Sequence, residues 1–173
     1  MPFSPGALEH PKAEEVRAEL ARLVASPDPS ALPHLSRLLS HPLALVRSET
    51  LDALAACGGL ETVLQALADR EPTLRLKAVG LLAGHAPGLG RALRNPDPDV
   101  RESAFRAVLE GRLERRPQLL LLALGDRDSR RRRQALEALV PPRSEGWREA
   151  LVRGLRDEHP TVSDLSGALF HAV

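Results

Sequence analysis

A sixfold recurrence of one amphipathic pattern limits what this chain can fold into. From Val100, apolar residues follow at +4, +7 and +8 (Ala104, Ala107, Val108), which is one face of an α-helix. The template recurs from Val16, Val46, Leu74, Arg131 and Val162, with successive anchors 30, 28, 26, 31 and 31 residues apart. Thr50 and Ser166 stand at +4 in two copies, and Arg131 occupies an anchor that is otherwise Val or Leu. Seven and eleven residues before each anchor from the second onward sit Leu39 and Leu35, Leu67 and Val63, Leu93 and Leu89, Leu124 and Leu120, Leu155 and Leu151. A second amphipathic helix therefore precedes each of these anchors. Five residues upstream is a turn residue (His41, Asp69, Asn95, Asp126, Asp157), with prolines clustered beside it. Asp and Asn can cap exposed N–H groups, and proline fits a helix's first turn.

Helices this short do not persist alone, so each pair must bury its apolar faces against its neighbours. The expected fold is all-α: a right-handed α-solenoid (an α-α superhelix) of about five and a half two-helix repeats. It spans residues 12–173, after an N-terminal extension of residues 1–11. Eleven helices are predicted, near 12–25, 29–40, 43–56, 59–68, 72–84, 86–94, 97–111, 115–124, 128–140, 144–155 and 160–172. Composition agrees: the chain is rich in leucine and alanine, with three phenylalanines, one tryptophan and no tyrosine.

The turn-Val-Arg-Ala grammar of "DPDVRESAFRAVLEG" (97–111), "EPTLRLKAVGLLAG" (71–84) and "HPLALVRSETLDALAACG" (41–58) resembles the HEAT-like repeat family. The resemblance is to its short-repeat branch, often named after phycobilin lyases. It implies that the Val-Arg helix lines the convex side and the preceding helix the concave side. It is specific for fold and weak for function, since such repeats serve many ends.

The arginine that follows five of the six anchors (Arg17, Arg47, Arg75, Arg101, Arg132) could track phosphates. The stronger reading is a ladder of ion pairs to the turn residues. Binding residues are instead expected on the inner helices. Nine positions before the anchors stand Arg37, Gln65, Arg91, Leu122 and Arg153, and six before are Arg94 and Arg156. Arg148 lies one turn earlier on the last inner helix. In "PQLLLLALG" (117–125), Leu120, Leu121 and Leu124 are core by register, so Leu119 and Leu122 should face the groove; a helix apolar nearly all round is either more deeply buried than its neighbours or offers a contact surface. The candidate partner-binding face is therefore Arg37, Arg91, Arg94, Leu119, Leu122, Arg148, Arg153 and Arg156. An apolar spot ringed by arginines suits a protein partner with an acidic or amphipathic segment.

Nucleic acid is the alternative, through the arginine-rich half: residues 87–156 carry a net charge of +6 within a chain of net +1. The low total charge and the lack of stacking platforms weigh against it. In "RDSRRRRQALE", either the helix begins differently or Arg131 extends its charged head to solvent along its stem. Leu169, Phe170 and Val173 of the last helix should lie partly open, which would favour a homodimer through that end or further contact with another protein.

Nothing points to an enzyme or a cofactor. Cys57 is the only cysteine, which excludes an internal disulfide or a cysteine zinc site, and it reads as a packed thiol at a helix end. The six histidines show no metal-binding spacing. Gly88-Leu89-Gly90 lacks the rest of a phosphate loop. With no signal-peptide pattern and no membrane-length apolar run, the expected setting is cytoplasmic.

Overall fold

The computed structural model describes residues 5–9 and 12–172. Among these the chain is all-α, with twelve helices in paired, repeat-like units. They are α1 (Pro5–Leu8), α2 (Ala13–Ala25), α3 (Leu32–Leu38), α4 (Ala44–Ala56), α5 (Leu60–Val63) and α6 (Pro72–Leu81). There follow α7 (Ala86–Ala92), α8 (Pro98–Glu110), α9 (Arg116–Ala123), α10 (Ser129–Leu139), α11 (Trp147–Leu155) and α12 (Pro160–Ala172). A 3₁₀ turn, Pro29–Ala31, leads into α3, and another, Leu64–Ala68, extends α5. The short α1 lies in the stretch expected to be an extension and buries Leu8. It is too short to carry a periodic signal.

The chain divides into two compact units, Met1–Gly88 and Leu89–Val173. In the first, α4 packs against α2 and α6 and also meets α3 and α5, while α1 leans on α2 and α3. In the second, α10 packs against α9, α11 and α12, and α8 against α9. The repeated apolar positions form the two cores. Val16, Leu20, Leu23, Val46 and Leu54 are buried in one, and Val100, Ala104, Val108, Ala135 and Leu139 in the other. The two hydroxyl residues in the pattern are buried without an unmet donor. Thr50 Oγ1 donates to Val46 O (2.7 Å), and Ser166 Oγ to Val162 O (2.9 Å), each one turn back.

The turns share one construction. The turn residue's side chain accepts the N–H two residues on: Asp69 from Glu71, Asn95 from Asp97, Asp126 from Asp128, Asp157 from His159, at 2.8 or 2.9 Å. His41 does the same through Nδ1, accepting from Leu43 N (3.1 Å). Six residues after the turn residue, the arginine behind the anchor donates from Nη1 to the turn's carbonyl. Arg47 reaches His41 O, Arg75 Asp69 O, Arg101 Asn95 O and Arg132 Asp126 O.

Where the next turn carries aspartate, the same arginine also reaches forward. Arg47 grips Asp69 at 2.8 and 2.9 Å, Arg132 grips Asp157 at 2.7 Å twice, and Arg101 Nε meets Asp126 at 3.2 Å. Arg17, whose following turn residue is His41, bonds Glu49 of α4 instead. The repeated arginines are thus structural ties between repeats.

Arg131 departs from both sequence expectations. Helix α10 begins in register, with Asp128 capping through Arg130 N (2.9 Å), and the Arg131 side chain turns inward. Its Nη2 donates to Asp126 at 2.9 Å and its Nη1 to Glu102 at 2.8 Å, with the side chain only 7% exposed. A paired guanidinium replaces the usual aliphatic anchor, because Asp126 lies close enough to accept it along with Arg101.

Burial alone would raise the Asp126 carboxyl, but the Arg131 hydrogen bond, the Asp128 N–H and the nearby guanidiniums hold it below the ordinary value. Asp69 is lowered against the same burial penalty, by Arg47 and the Glu71 N–H. Asp157 is lowered chiefly by its hydrogen bond to Arg132. Carboxylates lowered in the folded state stabilise it fully above their unfolded value of about 4, and lose that contribution as pH falls through the lowered values. The melting temperature should therefore fall steadily below about pH 4. Asp126→Ala removes the shared carboxylate from two buried guanidiniums, leaving Arg131 with Glu102 and Arg101 with the turn carbonyls, and should cost about 3–5 kcal/mol in urea unfolding at neutral pH. A cost under about 1 kcal/mol would remove Asp126 from this structural role.

Candidate partner-binding cleft

Two clefts are built from turns and the helix that follows. In the first unit Leu39, Ser40, His41, Arg47, Gln65, Asp69 and Arg70 line one of about 320 Å³. In the second unit the same template positions (Leu93, Arg94, Asn95, Arg101, Leu122, Asp126 and Arg127) line one of about 530 Å³. The two share the Arg–Asp tie that forms their base. They differ where a ligand would touch: Ser40 is replaced by Arg94 and Gln65 by Leu122. Leu121 and Arg153 line the second cleft as well.

The second cleft combines an apolar floor with surplus positive charge. Asp126 is matched by Arg101 and Arg131. Arg153 shares its charge with Glu149 and donates from Nη1 to Leu121 O at 3.3 Å. Arg94 and Arg127 are exposed at the rim. Such a site can receive a carboxylate at the rim and an apolar side chain on Leu121 and Leu122.

The structure brings together three of the eight sequence-chosen residues here: Arg94, Leu122 and Arg153. Arg91 and Arg156 are exposed but line no described cleft, and Arg37 lies in the first unit with Nη1 3.4 Å from Glu9. Arg148 belongs to another surface. Its guanidinium stacks 4.7 Å from the Trp147 ring, beside Leu151, Val152, Leu155 and Phe170.

Leu119 does not face a groove; it is 4% exposed and part of the core. The packing of α9 against α8 and α10 carries Leu119 inward, and Gly90 of α7 lies beside it with ordinary clearance. A Cβ there would sit 3.6 Å from Leu119 Cδ2 and 3.7 Å from Leu122 Cδ1. The apolar wheel of α9 is accordingly turned, and Leu121, expected in the core, is half-buried on the cleft wall. Leu121 and Arg127 are the residues that sequence reasoning missed. Arg127 was legible in the repeat register, because Arg70 holds the same template position.

Among the described residues no group of three or more His, Cys, Asp or Glu could hold a metal ion, and the chain carries no catalytic motif. No described helix is long and apolar enough to cross a membrane. No family model and no curated protein matches the chain. Among solved structures it is similar to a designed armadillo repeat protein in complex with the peptide (KR)4, at 17% identity over 97% of each chain and a TM-score of 0.48. A second designed armadillo repeat protein matches at 16% identity over 97% of each chain, with a TM-score of 0.46. An engineered protein matches at 19% identity over 96% of this chain and 95% of its own, with a TM-score of 0.45.

Two glycines test the packing behind the cleft. At Gly90 an added methyl meets only ordinary contacts, so Gly90→Ala should stabilise by about 0.5–1 kcal/mol. At Gly154 it would collide with Ser166 Oγ and Leu136, so Gly154→Ala should destabilise by about 1–3 kcal/mol. Urea titration of Gly90→Ala showing destabilisation would contradict the placement of α7 against α9, and of Gly154→Ala showing stabilisation the placement of α11 against α10 and α12.

Proposed function

We propose that this chain is a non-enzymatic protein-interaction module that binds an acidic, amphipathic segment of a partner protein in the cleft of its second unit. One observation carries the reading. Two clefts built on the same repeat positions have the same structural base, yet only the second presents Arg94, Leu121, Leu122 and Arg153. Turn construction does not account for these residues, since Ser40 and Gln65 serve the equivalent positions in the first cleft. The apolar floor favours a folded or folding peptide over a polyphosphate backbone. The reading includes a right-handed solenoid of the HEAT-like short-repeat type with the inner helices on the concave side, as the turn-Val-Arg grammar implies. Arg37, Arg91 and Arg156 then extend the cationic character of that side.

The test is affinity capture from nuclease-treated lysate of the source cell, followed by a binding titration of the captured protein. Arg94→Glu/Arg127→Glu should weaken binding at least about tenfold. Arg70→Glu, the same position in the first cleft, should leave it unchanged. Full retention of the partner by the double variant would sink the proposal. Steeply salt-dependent binding to duplex DNA or RNA, with no protein captured, would move the nucleic-acid reading to the front.

A further inference from the structure

Both clefts open on a turn residue without a carboxylate, His41 in the first unit and Asn95 in the second, and close on an aspartate, Asp69 or Asp126. Turn closure does not ask for the amide of Asn95. Its Oδ1 accepts from Asp97 N at 2.9 Å, and Asp69, Asp126 and Asp157 make the same bond with a carboxylate at 2.8 or 2.9 Å. The backbone of the turn is held as well, since Arg101 Nη1 donates to Asn95 O and to Pro96 O, each at 2.9 Å. The Asn95 side chain is therefore positioned, half-buried, in the lining of the second cleft.

What the amide changes is the charge of the cleft. The described lining residues carry four guanidiniums, on Arg94, Arg101, Arg127 and Arg153, and one carboxylate, on Asp126. That carboxylate is already matched by Arg101 and Arg131. Aspartate is the residue at three of the other four turns. At position 95 it would close the turn equally well and bring a second carboxylate into the lining, next in sequence to Arg94. The exchange takes one unit of positive charge from the cleft, however the new carboxylate is paired. At a separation of about 6 Å in a solvated cleft, one such charge weakens the binding of an incoming carboxylate by a factor of about three to ten.

We infer that Asn95 determines the specificity of this cleft: an amide, at a position where most turns of this chain have aspartate, keeps a second carboxylate out of the lining and so lets the cleft prefer an acidic segment to an uncharged one. The inference rests on the reading of the cleft as a site for an acidic, amphipathic segment. Arg94 and Arg127 supply the attraction at the rim, and Asn95 withholds the repulsion that the repeat's usual turn residue would add.

The probes are two fluorescein-labelled amphipathic peptides of about 15 residues, with leucines along one helical face and either glutamate or glutamine on the other. Each is titrated against the full chain by fluorescence anisotropy. The wild type should bind the glutamate peptide more tightly. Asn95→Asp should weaken that peptide about three- to tenfold and leave the glutamine peptide unchanged, and the loss should shrink in about 0.5 M salt. Gln65→Glu, which adds the same charge in the first cleft, should alter neither titration. The Asp97 N–H keeps an acceptor in Asn95→Asp, as the Glu71 N–H has in Asp69, so the far-UV spectrum and melting temperature should be retained. Equal weakening of both peptides would make Asn95 a structural residue of its turn and overturn the inference. Unchanged binding of the glutamate peptide, or an equal loss from Gln65→Glu, would also overturn it. If the wild type binds the glutamate peptide no better than the glutamine one, or Arg94→Glu/Arg127→Glu binds it as well as the wild type, the reading of the cleft fails and the inference fails with it.

Discussion

The aspartate at the turn is the group on which the repeats depend. A helix pair joined by a short turn leaves backbone N–H and C=O groups that neither helix can satisfy. The aspartate accepts the N–H two residues on, and the arginine six residues later donates to the turn's carbonyl. The carboxylate also receives the arginine of the preceding repeat. One residue thus closes its own turn and fixes the spacing to its neighbour. A buried ion pair by itself contributes little net stability. Here the partners' remaining donors and acceptors are largely occupied, and the geometry admits one register between repeats. Asn95 and His41 show the division of labour. Both close their own turns without a carboxylate.

Because these ties and the apolar stripes hold the repeats, the surfaces of the inner helices are released from structural duty. That is why equivalent clefts can differ so much in chemistry. The cleft with Ser40 and Gln65 and the cleft with Arg94 and Leu122 rest on the same frame, so these positions vary in chemistry while the frame is kept. The Asp126 cluster marks how far the frame tolerates departures. An arginine stands at an anchor otherwise held by Val or Leu, and it is accommodated because a neighbouring carboxylate accepts two guanidiniums.

The periodicity of 3.6 and the spacing of the turns were enough to place eleven of the helices, to pair them and to assign the repeated arginines to structural ties. These are local or nearest-neighbour properties, and a single repeat contains the information for them. Position within the repeat also made Arg94, Leu122 and Arg153 recognisable as surface residues, because each lies off both apolar stripes of its helix.

Other features were decided only by tertiary packing. Leu119 is core and Leu121 lines the cleft because the packing of α9 against α8 and α10 sets its rotation. The wheel of an all-leucine stretch has no polar face to orient it, so its sequence could not choose. Arg131 is buried because Asp126, five residues away, is shared with Arg101 from another helix. Phe170 and Leu155 are likewise exposed although both hold apolar template positions. The sequence determined which residues repeat; the packing of the helices against one another determined which of them stand exposed.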